Sequence, residues 1–135
     1  MIYGIGVDIA SVARIAQVRG RHGARFEQRV LTTPELDEYR RQSRPDHFLA
    51  RRFAAKEAFA KAAGTGIGRD LGWHDITIGH DAAGRPLLHL SAAAQALLGA
   101  RGVVARHLSL SDEQEHAVAM VVLETAGPAV AALSD

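Results

Sequence analysis

The sequence predicts an α+β fold in which a mainly antiparallel sheet packs against one central helix, with shorter helices around it. Three observations carry that expectation. Period-two alternation marks strands near both ends of the chain, the alanine-rich stretch Arg51–Ala63 has helical composition throughout, and two short alternating runs flank a turn at Asp81–Gly84. The 135 residues are expected to form one domain over residues 1–125, followed by a flexible C-terminal tail over residues 126–135.

Residues 2–9, IYGIGVDI, place Ile5, Val7 and Ile9 on one face of a strand and Gly4, Gly6 and Asp8 on the other. Bare glycines admit another backbone or a ligand, and Asp8 stands at the rim of that gap, as a cap for the next helix or as a functional acid. From Ala10 onward, Val12, Ile15, Ala16 and Val18 define a short amphipathic helix expected to end at Gly20. Between residues 10 and 30, Arg14, Arg19, Arg21, Arg25 and Arg29 face only one acid, Glu27. Such a run is either a solvated face or a docking surface for an acidic partner, with Arg14, Arg21, Arg25 and Phe26 as candidate contacts. Thr33-Pro34-Glu35 then reads as a helix start leading to Arg40, Arg41 and Arg44, and Pro45 closes that helix.

The central helix is expected to begin at Pro45–His47 with Asp46 as N-cap. At about 100° per residue, Phe48, Ala55, Phe59 and Ala62 form a packing side, while Phe53, Glu57, Lys61 and Gly64 form an opposite side that presents an acid one turn from a base. Alone, Glu57 and Lys61 would be a solvated i,i+4 pair contributing ~0.3 kcal/mol. The ending argues for more, because one glycine suffices as a cap, yet Gly64, Gly66 and Gly68 alternate with Thr65 and Ile67. Glycines that follow a helix reverse the order of a P-loop, so a phosphate here would be met by Lys61, the Thr65 hydroxyl and loop amides.

Trp73–Ile78 and Arg85–Leu90 are the expected arms of the hairpin, and Ser91 caps a helix that stops near Gly99 or Gly102. Val103–Ser111 follows as a strand with His107, Ser109 and Ser111 on one face and Leu108 and Leu110 on the other. After a turn at Asp112–Glu115, the run Ala117–Leu123 is apolar on both faces, which implies a central strand or one buried by a partner subunit.

Composition narrows the function classes. With 47% apolar and 23% charged residues the chain is globular, and no apolar run approaches the ~18 residues of a membrane span. It has no cysteine, its seven histidines lack zinc-ligand spacing, and no nucleophile elbow accompanies Ser109 or Ser111. No basic-then-apolar leader precedes the first strand, so a cytoplasmic location is expected. Residues 1–52 carry ten arginines against six acids, whereas residues 53–135 carry six basic residues against nine acids. The basic first half suits an acidic partner; nucleic acid fits poorly with 5% aromatics and a net charge of +1.

Three segments, GIGVDIASVARI, RRFAAKEAFAKAAGTGIG and HLSLSDEQEHAVAMVVLE, together with LTTPELDEY and WHDITIGHDAAGRP, are similar in order and spacing to one family. The chain resembles the holo-acyl-carrier-protein synthases, the small single-module 4'-phosphopantetheinyl transferases. The resemblance implies transfer of 4'-phosphopantetheine from coenzyme A to a serine of an apo acyl carrier protein in lipid biosynthesis, releasing adenosine 3',5'-bisphosphate, with Mg2+ as cofactor. It further implies a homotrimer with sites at subunit interfaces. On the matching positions, Asp8 and Glu57 would hold the metal, Lys61 would meet the coenzyme phosphates, and Gly64, Thr65 and Gly66 would surround the nucleotide. The chain departs from many members in having Asp112 where they have histidine. Two carboxylates plus diphosphate oxygens suit Mg2+, and the acceptor of the serine proton is either Glu57 or a water polarised by a carboxylate. Another magnesium-dependent nucleotide-binding phosphotransferase is the alternative enzyme.

Overall fold

A computed structural model describes residues 1–127. The elements run β1 (Ile2–Ser11), α1 (Val12–His22), α2 (Ala24–Val30), α3 (Thr33–Tyr39), α4 (Pro45–Ala63), β2 (Ile76–His80), β3 (Pro86–Leu90), α5 (Ala92–Ala100), β4 (Val103–Asp112) and β5 (His116–Thr125). Every strand pairing is antiparallel, giving a three-stranded sheet ordered β1-β5-β4 and a separate β2-β3 hairpin, so the fold is α+β.

The glycines of β1 set how the sheet meets α4. A Cβ on Gly4 would overlap the carbonyl oxygen of Ala62, and one on Gly6 would overlap that of Ala58. The approaching backbone is thus the central helix. Ala117, Ala119, Val121 and Leu123 of β5 complete the inward face and are fully buried. Asp8 pairs in register with Ala119 and has the same parity as Gly4 and Gly6, so it too sits on the face turned to α4.

The opposite face of the sheet remains open. Ile5, Val7 and Ile9 of β1 are 55%, 57% and 63% exposed, and Val118 and Met120 of β5 join them. Centrality of β5 therefore accounts for only one of its two apolar faces. Singly exposed apolar residues would be ordinary, but a contiguous apolar stripe of five across paired strands marks an interaction surface.

Several boundaries differ from the sequence expectations, each for a local reason. Helix α1 runs through Gly20 to His22, and Gly23, at φ 57°, separates it from α2. Its N-cap is Ser11, whose side chain accepts from the Arg14 amide, so Asp8 does not cap it. Arg44, not Asp46, is the N-cap of α4, because Pro45 takes the first helical position; Asp46 instead accepts from Arg19 Nε at 2.7 Å. Trp73–Asp75 is a 3-10 turn and the strand begins at Ile76. The larger correction concerns α4, which is enclosed rather than one-faced: Leu49, Ala50, Arg52, Ala54, Lys56, Ala58 and Ala60 are buried along with the expected packing side. Only a strip through Phe53, Glu57 and Lys61 reaches solvent along the helix's second half. The expected tail lies outside the described residues from residue 128 onward. No helix among the described residues is long and apolar enough to cross a membrane.

Candidate active site

The strip on α4 and the acid on β1 converge. Lys61 Nζ donates to Asp8 Oδ1 at 2.9 Å and to the Val7 carbonyl at 3.0 Å, so Lys61 pairs across to the strand and not with Glu57 along its own helix. Glu57 is coupled to both. Burial and the negative charge of Asp8 push its carboxyl above the usual value, and the Lys61 ammonium opposes that shift. Two carboxylates and one ammonium thus share a small, partly desolvated volume.

The two carboxylates open onto a cleft of about 580 Å³, lined among others by Asp8, Glu57, Arg14, Phe26, Phe53 and His116. That volume lies within the ~300–1,000 Å³ range of small-molecule sites. A second cavity of about 530 Å³ shares Val18 and Phe26 with it and is lined by His22, Arg25 and Arg29. Of the candidate docking residues, Arg14 and Phe26 border the cleft itself, Arg25 borders the adjoining cavity, and Arg21 is exposed on α1 outside both. A third groove, between β3 and β4, contains no acid, and its Arg106 is engaged by the Leu88 carbonyl at 2.7 Å.

The glycine loop follows α4 directly. Gly64 and Gly66 have φ of 78° and 66°, and a Cβ at Gly64, Gly66 or Gly68 would meet nothing within 4 Å. The loop donors are less free than expected. The amides of Thr65 and Gly66 turn back to the Ala60 carbonyl, that of Gly64 to Lys61, and that of Gly68 to Leu71, while Thr65 Oγ1 donates to the Gly66 carbonyl at 2.8 Å. Capping the helix consumes the first three amides, and bonds within the loop take the Gly68 amide and the Thr65 hydroxyl. Of the donors expected from the sequence, Lys61 is therefore the one that combines exposure with proximity to the acids. Arg101, unremarked in the sequence, donates to the Ala63 carbonyl at 2.8 Å and fixes the loop's point of departure.

Among the described residues, no group of three or more His, Cys, Asp or Glu side chains converges as metal ligands. Asp8 and Glu57 are a two-carboxylate set. Asp112 accepts from Arg51 Nη1 at 3.1 Å, and His107 pairs with Glu124 at 2.6 Å, apart from Ser109 and Ser111.

Sequence reasoning missed the other charged face of α4. Lys56 is fully buried and donates to Glu35 Oε1 at 2.6 Å, to the Val30 carbonyl at 2.6 Å and to the Trp73 carbonyl at 3.1 Å. Glu35 also accepts from the amides of Thr32 and Ile78. Beside it Arg52 lies over the Phe48 ring at 4.3 Å, with its Nε and Nη1 lacking a hydrogen-bond partner among the described residues. Burial lowers the pKa of both cations, with the neighbouring carboxylates opposing.

Comparison with known proteins places the chain in a family. Residues 4–121 match the model of the 4'-phosphopantetheinyl transferase superfamily. The chain is 51% identical over 124 residues to the holo-[acyl-carrier-protein] synthase of Laribacter hongkongensis (strain HLHK9), covering 92% of this chain and 99% of that protein. The crystal structure of holo-[acyl-carrier-protein] synthase from Neisseria meningitidis superposes with a TM-score of 0.90 at 46% identity, covering 93% of this chain and 100% of that one. The holo-(acyl-carrier-protein) synthase from Bacillus anthracis str. Ames in complex with CoA (3',5'-ADP) gives 0.77 at 40% identity, covering 93% and 99%. With a family model spanning most of its length and both acids of its cleft inside the matched region, the chain belongs to the 4'-phosphopantetheinyl transferase superfamily.

Proposed function

We propose that the chain is a holo-[acyl-carrier-protein] synthase, moving 4'-phosphopantetheine from coenzyme A to a serine of an apo acyl carrier protein. The observation that carries this reading is the convergence of Asp8, Glu57 and Lys61, the two acids lining a cleft that Arg14 and Phe26 also line. In the reaction the serine oxygen forms a bond to the phosphorus next to pantetheine, the bond from that phosphorus to the nucleotide's bridging oxygen breaks, and adenosine 3',5'-bisphosphate leaves. Lys61, half exposed, is placed to neutralise phosphate charge, and the open space above Gly64, Gly66 and Gly68 leaves room for a nucleotide. The serine proton would pass to Glu57 or to a water that one of the two carboxylates polarises.

Mg2+ suits the donor set. Asp8 and Glu57 would hold it, and the mutual repulsion that raises Glu57 is what a dication relieves, leaving further positions for water and phosphate oxygens. When bound, the ion supplies positive charge against the diphosphate. The acidic carrier would dock along α1 and α2 through Arg14, Arg21, Arg25 and Phe26. Further copies of the chain would cover the apolar stripe of Ile5, Val7, Ile9, Val118 and Met120 in a homotrimer, and the reaction would run in the cytoplasm.

Intact-mass analysis of an apo acyl carrier protein incubated with the chain, coenzyme A and Mg2+ tests the reading. The carrier should gain one phosphopantetheine, and excess chelator or Asp8→Ala should prevent it; full modification under chelation would sink the metal assignment. Reversing Arg14, Arg21 and Arg25 to Glu should raise the carrier KM and flatten its salt dependence while coenzyme affinity holds. Sedimentation should give a species of three 14.4 kDa chains.

A further inference from the structure

The short helix α2 carries Arg25, Phe26 and Arg29, yet little in its own sequence holds it. Seven residues are too few to be helical alone, and its N-cap, Gly23, offers no side chain. Its placement comes from ties at its C-terminal turn, where carbonyls lack helical partners. Lys56 Nζ donates to the Val30 carbonyl from the buried side. His74 Nε2 donates to the Gln28 carbonyl at 2.7 Å from the solvent side. A carbonyl can only accept, so this ring nitrogen carries a proton whether His74 is neutral or charged. Below them, Phe26 packs on Phe53 and Phe53 on Trp73, with ring centroids 6.3 and 5.1 Å apart.

The two ties differ in what they can be tested for. Lys56 belongs to the buried ionic cluster, so its removal would act on more than α2. His74 is exposed, stands on the 3-10 turn that follows the glycine loop, and makes its bond from a ring otherwise in water.

We infer that His74 is a positioning residue for carrier recognition, fixing the pitch of α2 and thereby the placement of Arg25 and Phe26 through its hydrogen bond to the Gln28 carbonyl. This inference rests on the docking of the carrier along α1 and α2. It makes the segment behind the coenzyme loop part of the carrier interface without touching the carrier.

The test compares His74→Ala and His74→Gln, whose amide nitrogen reaches as Nε2 does, with the parent chain. His74→Ala should raise the carrier KM about fivefold, the factor that one lost hydrogen bond sets, with coenzyme KM unchanged and His74→Gln restoring most of the loss. Amide hydrogen exchange over residues 24–31 should quicken in His74→Ala alone. In a cycle with Arg25→Ala the two effects on carrier KM should fall short of additive, because Arg25 contributes less once α2 has shifted. Unchanged exchange in α2, or full additivity, overturns the inference. If the triple arginine reversal leaves carrier kinetics untouched, the docking reading itself has failed. If that reversal raises the carrier KM while His74→Ala does not, only the role of His74 is lost.

Discussion

Lys56 and Lys61 lie five residues apart on α4 and each holds a carboxylate, at 2.6 and 2.9 Å. Their chemistry is the same and their consequences are not. Lys56 is sealed among Glu35 and two carbonyls, so its charge has been taken fully out of water and its three protons are committed to those three acceptors. The Lys61 side chain is 52% exposed and can leave Asp8 for another anion at little cost. A helix rotates by about 140° over five residues net of one full turn, and that rotation alone separates a structural pin from a movable charge. Alanine is what makes the contrast possible, since it lets the sheet and the neighbouring elements close around α4 on all sides but one.

The sharpest way to break this comparison is to replace both lysines with an apolar residue of similar length. Lys56→Met should destabilise the fold by about 3–5 kcal/mol, because it strands the buried Glu35 carboxylate without its cation. Lys61→Met should change stability by about 1 kcal/mol or less, as an exposed pair does. Urea titration of both variants reads the difference directly, and similar midpoints would mean that the two sites are not distinct in kind.

A kinetic experiment sharpens the same contrast from the functional side. Lys61→Ala should weaken coenzyme A binding and lower turnover with the melting temperature held, consistent with a cation that serves phosphate rather than packing. Calorimetric titration with coenzyme A measures it. Unaltered affinity would return Lys61 to the role of a plain surface ion pair with Asp8.

How much of this was readable beforehand follows from what each pattern encodes. The antiparallel frame and the strip of Phe53, Glu57 and Lys61 rest on local periodicity, the Ser91 cap and the hairpin turn on local residue type, and the structure has them. The burial of Lys56 and Arg52 was not readable, because in RRFAAKEAFAKAA alanine occurs on every side and small residues give a helix no preferred orientation. Glu35 looked like an ordinary first-turn acid; its second oxygen is claimed by the Ile78 amide, 43 residues away in sequence. Helix α2 is shorter than two full apolar repeats, so its period could not register. In β1 the alternation identified two faces without saying which turns inward, and the glycine face won because only there can the Ala58 and Ala62 carbonyls come close.

Arg52 provides a milder probe within the buried face. Its contacts to Glu38 and Glu35 are long, at 3.5 and 3.8 Å, and two of its nitrogens lack partners among the described residues. Glu35 keeps Lys56 when Arg52 leaves, so Arg52→Met should shift stability by only about 1 kcal/mol in either direction, where Lys56→Met costs several. A loss as large as that of Lys56→Met would place Arg52, and not Lys56, at the centre of the cluster.

The smallest effect belongs to Glu57. Burial and the Asp8 carboxylate raise the Glu57 pKa above the ordinary 4.5. A carboxyl raised in the fold favours folding while it is protonated, below its unfolded pKa. That contribution is lost as pH rises through the interval between 4.5 and the raised value. At neutral pH the ionised Glu57 is therefore a small net burden on the fold, reduced by solvent screening. Glu57→Gln should accordingly abolish phosphopantetheine transfer and yet leave the chain more stable near pH 7, by about 0.5 kcal/mol or less, with the gain vanishing below pH ~4. Asp8→Asn should move the Glu57 titration, followed by carbon NMR of its carboxyl, toward the ordinary value. A Glu57→Gln variant less stable than the parent at neutral pH would mean that Glu57, like Lys56, is part of the packing, and the division of α4 into a structural and a reactive face would fail at the residue on which the chemistry depends.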